Sequence, residues 1–320
     1  MKRVFVFLVL GLLFLAVYLL RDKKQDSTQP GSQTAGNLSL TEARRNFTTK
    51  LIRHEAEHEP VPPPPPDLFR TVHYQTALGP MAAYISQPAK DGQRHPAIVW
   101  IAGGFGNDIG DTPWAEQSPD NDQSASAFWK AGIVTMYPSF RGGNDNPGYN
   151  ESFFGEVDDL IAAVDYLAKQ DFVDPNRIYL GGHSTGGTLA LLAAECSSRF
   201  RAVFAFGPAD DVGGYGSSYL NFDTSNPKEL DLRAPVLWLN SIHNLTFVFE
   251  GTSGNIDALR TLAHASSNQT IHFYQLAGFT HFSTLAPMTR VLAAKILADT
   301  GPASSIAFTG NEVLGLSFVM

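Results

Sequence analysis

A single cysteine, Cys196, stands in 320 residues, so no intramolecular disulfide can staple this chain, and cysteine usage does not mark a redox compartment. Positive charge is scarce as well. Against 31 Asp and Glu there are 23 Lys and Arg, a formal net charge of −8, without the basic footprint that nucleic-acid binding leaves. No internal repeat is visible, which excludes a repeat architecture. What the chain has in quantity is apolar material, 43% of its residues. That is ample for one large core of roughly 250 residues with an N-terminal extension.

One apolar run stands apart. Lys2 and Arg3 precede an unbroken stretch from Val4 to Leu20, and Arg21, Lys23 and Lys24 close it. As a helix this stretch reaches about 25 Å, enough to cross a thin hydrocarbon core. A cleaved signal peptide normally has a shorter apolar region and a small-x-small cleavage site, whereas here Tyr18-Leu19-Leu20 meets basic residues at once. No cysteine follows, which excludes a lipoprotein anchor. Residues 1–24 are therefore read as a single-pass membrane anchor, with secretion by a signal peptide as the alternative. Basic residues flank both ends, so the positive-inside rule barely separates the two orientations. The short N-terminal tail favours a non-cytoplasmic domain.

Residues 25–37 are rich in Gln, Ser, Thr and Gly and read as a tether. Ser39-Leu40-Thr41-Glu42 has the form of a capping box. Leu40, Ala43, Phe47 and Leu51 follow at helical spacing, which predicts an amphipathic helix that runs to Pro60. Pro62 to Pro66 form a stiff spacer. Within this stretch His54-Glu55-Ala56-Glu57-His58 matches the zinc-protease pattern H-E-x-x-H. Glu57 and Glu59 are charged where that family is apolar, and no core is near to enclose a metal. The segment reads as a solvated helix end, and no metal site is expected. Five N-x-[S/T] sequons, at Asn37, Asn46, Asn150, Asn244 and Asn268, matter only in a glycosylating compartment.

From residue 68 to 299 strand-like and helix-like segments alternate, the pattern of a mostly parallel sheet with helices on both faces; residues 300–320 are a C-terminal tail. An antiparallel pair around Gly79-Pro80 opens the domain. Ala97-Ile98-Val99-Trp100-Ile101 is the kind of continuous apolar run that is buried on both sides. Residues 234–243 fit a strand or a helix, with helix favoured by a proline in its first turn.

Gly182-His183-Ser184-Thr185-Gly186 is a G-x-S-x-G pentapeptide. It follows a predicted strand and opens a predicted helix, the setting in which this motif exposes a nucleophilic serine. Side chains in place of the flanking glycines would collide with the neighbouring strand and helix. The amide of Thr185 at the helix start is an oxyanion donor. A second donor is expected from Ala102-Gly103-Gly104-Phe105 after the third strand, with Gly104 preferred and Phe105 next. His281, expected five residues past the final strand, is the candidate general base. The orienting acid is open. Gly254 stands where the usual H-G-x-x-D spacing puts aspartate. Asp257 and Glu250 are the available carboxylates, and Asp257 is slightly favoured. Asn255, or Asp210 and Asp211 after the sixth strand, are the alternatives.

Three stretches carry a resemblance: Tyr137-Pro138-Ser139-Phe140-Arg141-Gly142-Gly143, Glu156-Val157-Asp158-Asp159, and Asp174-Pro175-Asn176-Arg177-Ile178-Tyr179-Leu180 running into the pentapeptide. In them residues 68–299 resemble the prolyl oligopeptidase-like branch of the α/β-hydrolases, with some likeness to dienelactone hydrolases. The resemblance implies the α/β-hydrolase fold, a serine peptidase or esterase acting on small esters or short peptides, and no cofactor. The β-propeller of true oligopeptidases is not expected in residues 1–67. A reading from another class, a catalytically silent membrane-anchored binding protein, is motivated by the displaced acid.

Overall fold

The computed structural model describes residues 38–309 and Glu312. The expected anchor and the whole of the expected tether, residues 25–37, lie outside them. Among the described residues no helix is long and apolar enough to cross a membrane.

Chain order begins with α1 (Leu40–Arg44), β1 (Phe69–Thr76), β2 (Gly79–Ser86), β3 (His95–Ile101), α2 (Ala127–Lys130), β4 (Val134–Pro138) and α3 (Glu156–Leu167). It continues through β5 (Val173–His183), α4 (Thr185–Cys196), β6 (Ala202–Phe206), α5 (Pro227–Asp231), β7 (Leu245–Ser253), α6 (Ile256–Ala265), β8 (Ile271–Thr280) and α7 (Leu285–Ala298). The eight strands form one sheet in the order β1-β2-β4-β3-β5-β6-β7-β8. β1 and β2 are an antiparallel hairpin, β2 pairs β4 antiparallel, and every later pairing is parallel. The apolar runs explain who sits centrally. Every residue of β6 is buried, as is β3 from Pro96 onward, as strands covered on both faces require. β1 instead alternates buried and exposed positions, as an edge does. Trp100 meets Phe206 edge-on and Phe206 meets Phe249 at a tilt in the sheet centre, where α2 and α7 add Phe128, Met288 and Leu292.

Several expectations change. The capping box forms, with Ser39 and Glu42 satisfying each other's amides, but the helix ends at Arg44. Beyond it the chain leaves the helical path because tertiary partners outbid the next turns. Thr49 Oγ1 and the Lys50 amide bond to Glu229, and Leu51 bridges Phe222. His54–His58 is consequently not helical, so the shared face that H-E-x-x-H needs does not exist. The Glu57 amide donates to the Gly142 carbonyl at 2.6 Å, and Tyr84 Oη donates to the Pro62 carbonyl. Residues 234–243 form neither strand nor α-helix but two short 3-10 turns, Pro235–Leu237 and Leu239–Ser241. Three sequon asparagines spend side-chain N–H groups inside the fold: Asn150 on Phe105, Asn244 on Ser197 and Asn268 on Leu239.

Candidate active site

β5 lies between β3 and β6, and at its end the chain turns sharply into α4. Ser184 forms that turn with φ 56° and ψ −117°, a strained conformation for a residue with a side chain. Three local features hold it. The Ser184 amide donates to the Phe206 carbonyl of β6 at 2.7 Å, and the Ser184 carbonyl accepts from Thr188 in the first turn of α4. Around it the packing tolerates only glycine: a Cβ on Gly182 would lie 2.3 Å from the Gly186 carbonyl, and one on Gly186 would lie 2.3 Å from the Ile101 carbonyl. Ser184 is left 8% exposed at the head of a helix.

The residue after the Phe206 carbonyl is Gly207, and here the candidate base arrives. A Cβ on Gly207 would fall 2.4 Å from His281 Cε1 and 2.7 Å from Glu250 Oε2. Thus Ser184 and the His281–Glu250 pair adjoin the same β6 corner. β8 runs to Thr280, so His281 follows its strand directly and not after a five-residue gap. Its Nδ1 lies 2.8 Å from Glu250 Oε2, and the carboxylate is fully buried. Glu250 Oε1 accepts from the Gly251 amide at 2.7 Å. A carboxylate accepts only, so Nδ1 carries the ring proton and Nε2 keeps its lone pair for a nucleophile.

Of the two carboxylates weighed from sequence, then, Glu250 meets the imidazole. Asp257 does not: its side chain is 70% exposed and paired with Arg260, in the first turn of α6. Asn255 is the N-cap residue of α6 and Asp211 caps a 3-10 turn through the Gly213 amide. On the other side of the serine, the Thr185 amide heads α4 as expected. Gly104 has φ +130°; its amide donates to Thr185 Oγ1 at 2.9 Å while that hydroxyl donates back to the Gly104 carbonyl. The loop and the elbow are clasped to each other.

Two residues that sequence reasoning did not single out for function lie beneath this arrangement. His183 is fully buried, its ring centroid 4.5 Å from that of His281. His183 Nε2 lies 3.0 Å from the His281 carbonyl, and Nδ1 lies 2.8 Å from Gln123 Nε2. Burial, reinforced by the neighbouring His281, pushes the His183 pKa well below the usual histidine range, so the ring is neutral. No local pattern marks Gln123, since its partners are brought to it by the tertiary fold.

A cavity of about 40 Å³ opens beside Gly104 and Thr185, lined also by Phe105, Phe140, Phe153 and Tyr219. Phe105 stacks on Tyr219 and Phe153 on Tyr215. A larger groove of about 820 Å³ between Trp114, Trp129 and Arg290 includes neither Ser184, His281 nor Glu250.

The profile of the prolyl oligopeptidase family (Peptidase S9) matches residues 119–250, the segment with Ser184 and Glu250. Among solved structures, the chain is similar to a Mycobacterium tuberculosis puromycin-hydrolyzing peptidase at 19% identity and TM-score 0.58, over 71% of this chain and 38% of that one. A puromycin hydrolase matches at 17% identity and TM-score 0.60, over 75% and 40%. The chain thus spans well under half the length of these two. An esterase of Pyrococcus furiosus matches at 15% and TM-score 0.56, over 75% of this chain and 96% of its own. Likeness at such identity speaks for the fold alone: the chain has the α/β-hydrolase fold, and its residues 119–250 are similar to the prolyl oligopeptidase family.

Proposed function

We propose that the chain is a serine hydrolase that cleaves an ester or peptide-type acyl bond through an acyl-enzyme on Ser184. The observation that carries the reading is the buried Glu250 carboxylate 2.8 Å from His281 Nδ1, beside a serine at a strained strand-to-helix turn. Such a carboxylate fixes the imidazole's tautomer and stabilises its charged form. Ser184 Oγ attacks the acyl carbon while His281 Nε2 takes the hydroxyl proton. The Thr185 amide, helped by the positive end of α4, stabilises the oxyanion. Gly104 supplies a second amide once it exchanges Thr185 Oγ1 for the substrate oxygen. His281 then returns the proton to the departing alcohol or amine, and a water activated by the same imidazole frees the acid. The small aromatic cavity next to Gly104 favours a compact, apolar acyl group. The sequence supports attachment of this domain to a membrane through Val4–Leu20.

A fluorophosphonate probe and p-nitrophenyl acetate test the assignment together. Ser184→Ala should abolish labelling and lower turnover about 10⁴-fold or more. A mutant that still labels, or a wild-type chain that never does, would overturn it.

A further inference from the structure

His183 and Gln123 do more than fill the space under the elbow. The two side chains form a chain of hydrogen bonds whose direction is set by the backbone groups at its two ends. The Gly103 amide donates to Gln123 Oε1 at 3.0 Å. Gln123 Nε2 donates one hydrogen to Asn121 Oδ1 at 2.7 Å and the other to His183 Nδ1 at 2.8 Å. His183 Nε2–H donates to the His281 carbonyl at 3.0 Å. Turning the Gln123 amide over would set its N–H groups against the Gly103 amide, so the backbone fixes the amide. The His281 carbonyl, which can only accept, fixes the neutral His183 tautomer with its proton on Nε2. That leaves Nδ1 to accept from Gln123 Nε2, although it also lies 3.1 Å from Gln123 Oε1. One end of the chain is thus the loop expected to bind the oxyanion. The other end is the backbone of the general base.

We propose that His183 and Gln123 are positioning residues that lock the His281 loop and the Gly103–Gly104 loop into one mutual geometry. The inference rests on the reading of His281 as base. The backbone bond at its carbonyl matters because Glu250 holds only the far side of the imidazole, and one hydrogen bond leaves a ring free to swing. His183 supplies the second fixed point, and Gly207 packs against the Glu250 side of the ring, where a Cβ would lie 2.5 Å from Nδ1. Neutrality of His183 suits the task. A charged ring at this distance would oppose the positive charge that His281 must accept during turnover.

The test compares His183→Ala, His183→Gln and Gln123→Ala. His183→Ala should slow fluorophosphonate labelling and lower kcat for p-nitrophenyl acetate about 100-fold, the cost of a misplaced catalytic group, with KM within about twofold. His183→Gln retains an N–H that can reach the His281 carbonyl and should recover about 10-fold of that loss. Gln123→Ala, at a partly exposed position less prone to unfold the chain, should lower kcat in the same sense. A signature independent of any substrate is the downfield proton resonance of His281 Nδ1–H on Glu250. It should broaden or move in His183→Ala and return in His183→Gln. If the wild type labels and all three variants label at its rate with that resonance unmoved, the inference fails. If the wild type does not label at all, the serine hydrolase reading fails, and the resonance alone decides whether His183 positions His281.

Discussion

A Cβ at position 254 would lie 2.4 Å from Glu250 Oε1 and 2.8 Å from the His281 amide nitrogen. The usual aspartate position is therefore filled by the carboxylate of Glu250, which reaches it from β7 with one methylene more than an aspartate has. Glycine at 254 is the counterpart of glutamate at 250. The variants that separate the two carboxylates follow directly. Glu250→Gln should lower turnover about 10⁴-fold, because an amide cannot stabilise the imidazolium and presents a competing donor. Asp257→Asn should stay within about twofold, since an exposed i,i+3 pair contributes little. Steady-state kinetics on the two purified variants, with melting temperatures alongside, decide the matter; equal damage from both would sink the assignment. The placement of Ser184 at the turn and of His281 just past the last strand was legible in the sequence because strand–turn–helix periodicity and the order of the chain mark them locally. Which carboxylate meets His281 was not, since the reach of Glu250 depends on β7 extending to Ser253 and on the space left at Gly254.

Among elements, α5 shows how the walls near the site are held. Arg233 and Glu229 are both fully buried and paired, with Nη1 to Oε2 at 2.6 Å. Arg233 also donates to the Ser152 carbonyl, the Glu151 carbonyl and Thr49 Oγ1. It therefore ties three segments together, including Ser152 and Phe153, whose φ angles of 50° and 76° are costly for residues with side chains. Arg233→Met should destabilise the chain by about 3–5 kcal/mol in urea unfolding, because Glu229 would be left charged and uncompensated. Adding Glu229→Gln should recover part of that loss; no recovery would mean that the other bonds of Arg233 carry the effect. The same cluster explains why the helix expected from Leu40 to Pro60 stops early. Helical spacing in that stretch was real, but Glu229 takes Thr49 and Lys50 out of the helical path. The strands fared better. Val, Ile and Phe runs bounded by glycine and proline mark a buried sheet whatever its partners are, and the errors there are confined to strand ends.

For the whole molecule, proton linkage has a readable sign. The folded pKa of His183 is lowered by burial first and by His281 second, so the unfolded chain binds a proton there that the folded chain refuses. This group's contribution is complete above the unfolded value, about 6.5, and is lost as pH falls below it, by up to ~1.4 kcal/mol per pH unit. Glu195 acts in the opposite sense. Burial raises its pKa well above the usual carboxylate range, and neither carboxylate oxygen has a partner among the described residues, so its cost shrinks as pH falls. The difference between wild type and His183→Gln isolates the first term: from pH 8 to pH 5 the wild type should lose more stability than the variant, as melting temperature reads it, and parallel curves would refute the sign. The strand order has a consequence of another kind. Ser184 springs from the interior of the sheet, whereas His281 is carried by β8, whose single strand neighbour is β7. Edges open at lower free energy than centres. The two residues of the proposed catalytic pair therefore differ in durability: under mild denaturant the amides around His281 should exchange with solvent first, and activity should fade while the surroundings of Ser184, with Trp100 among them, are still native.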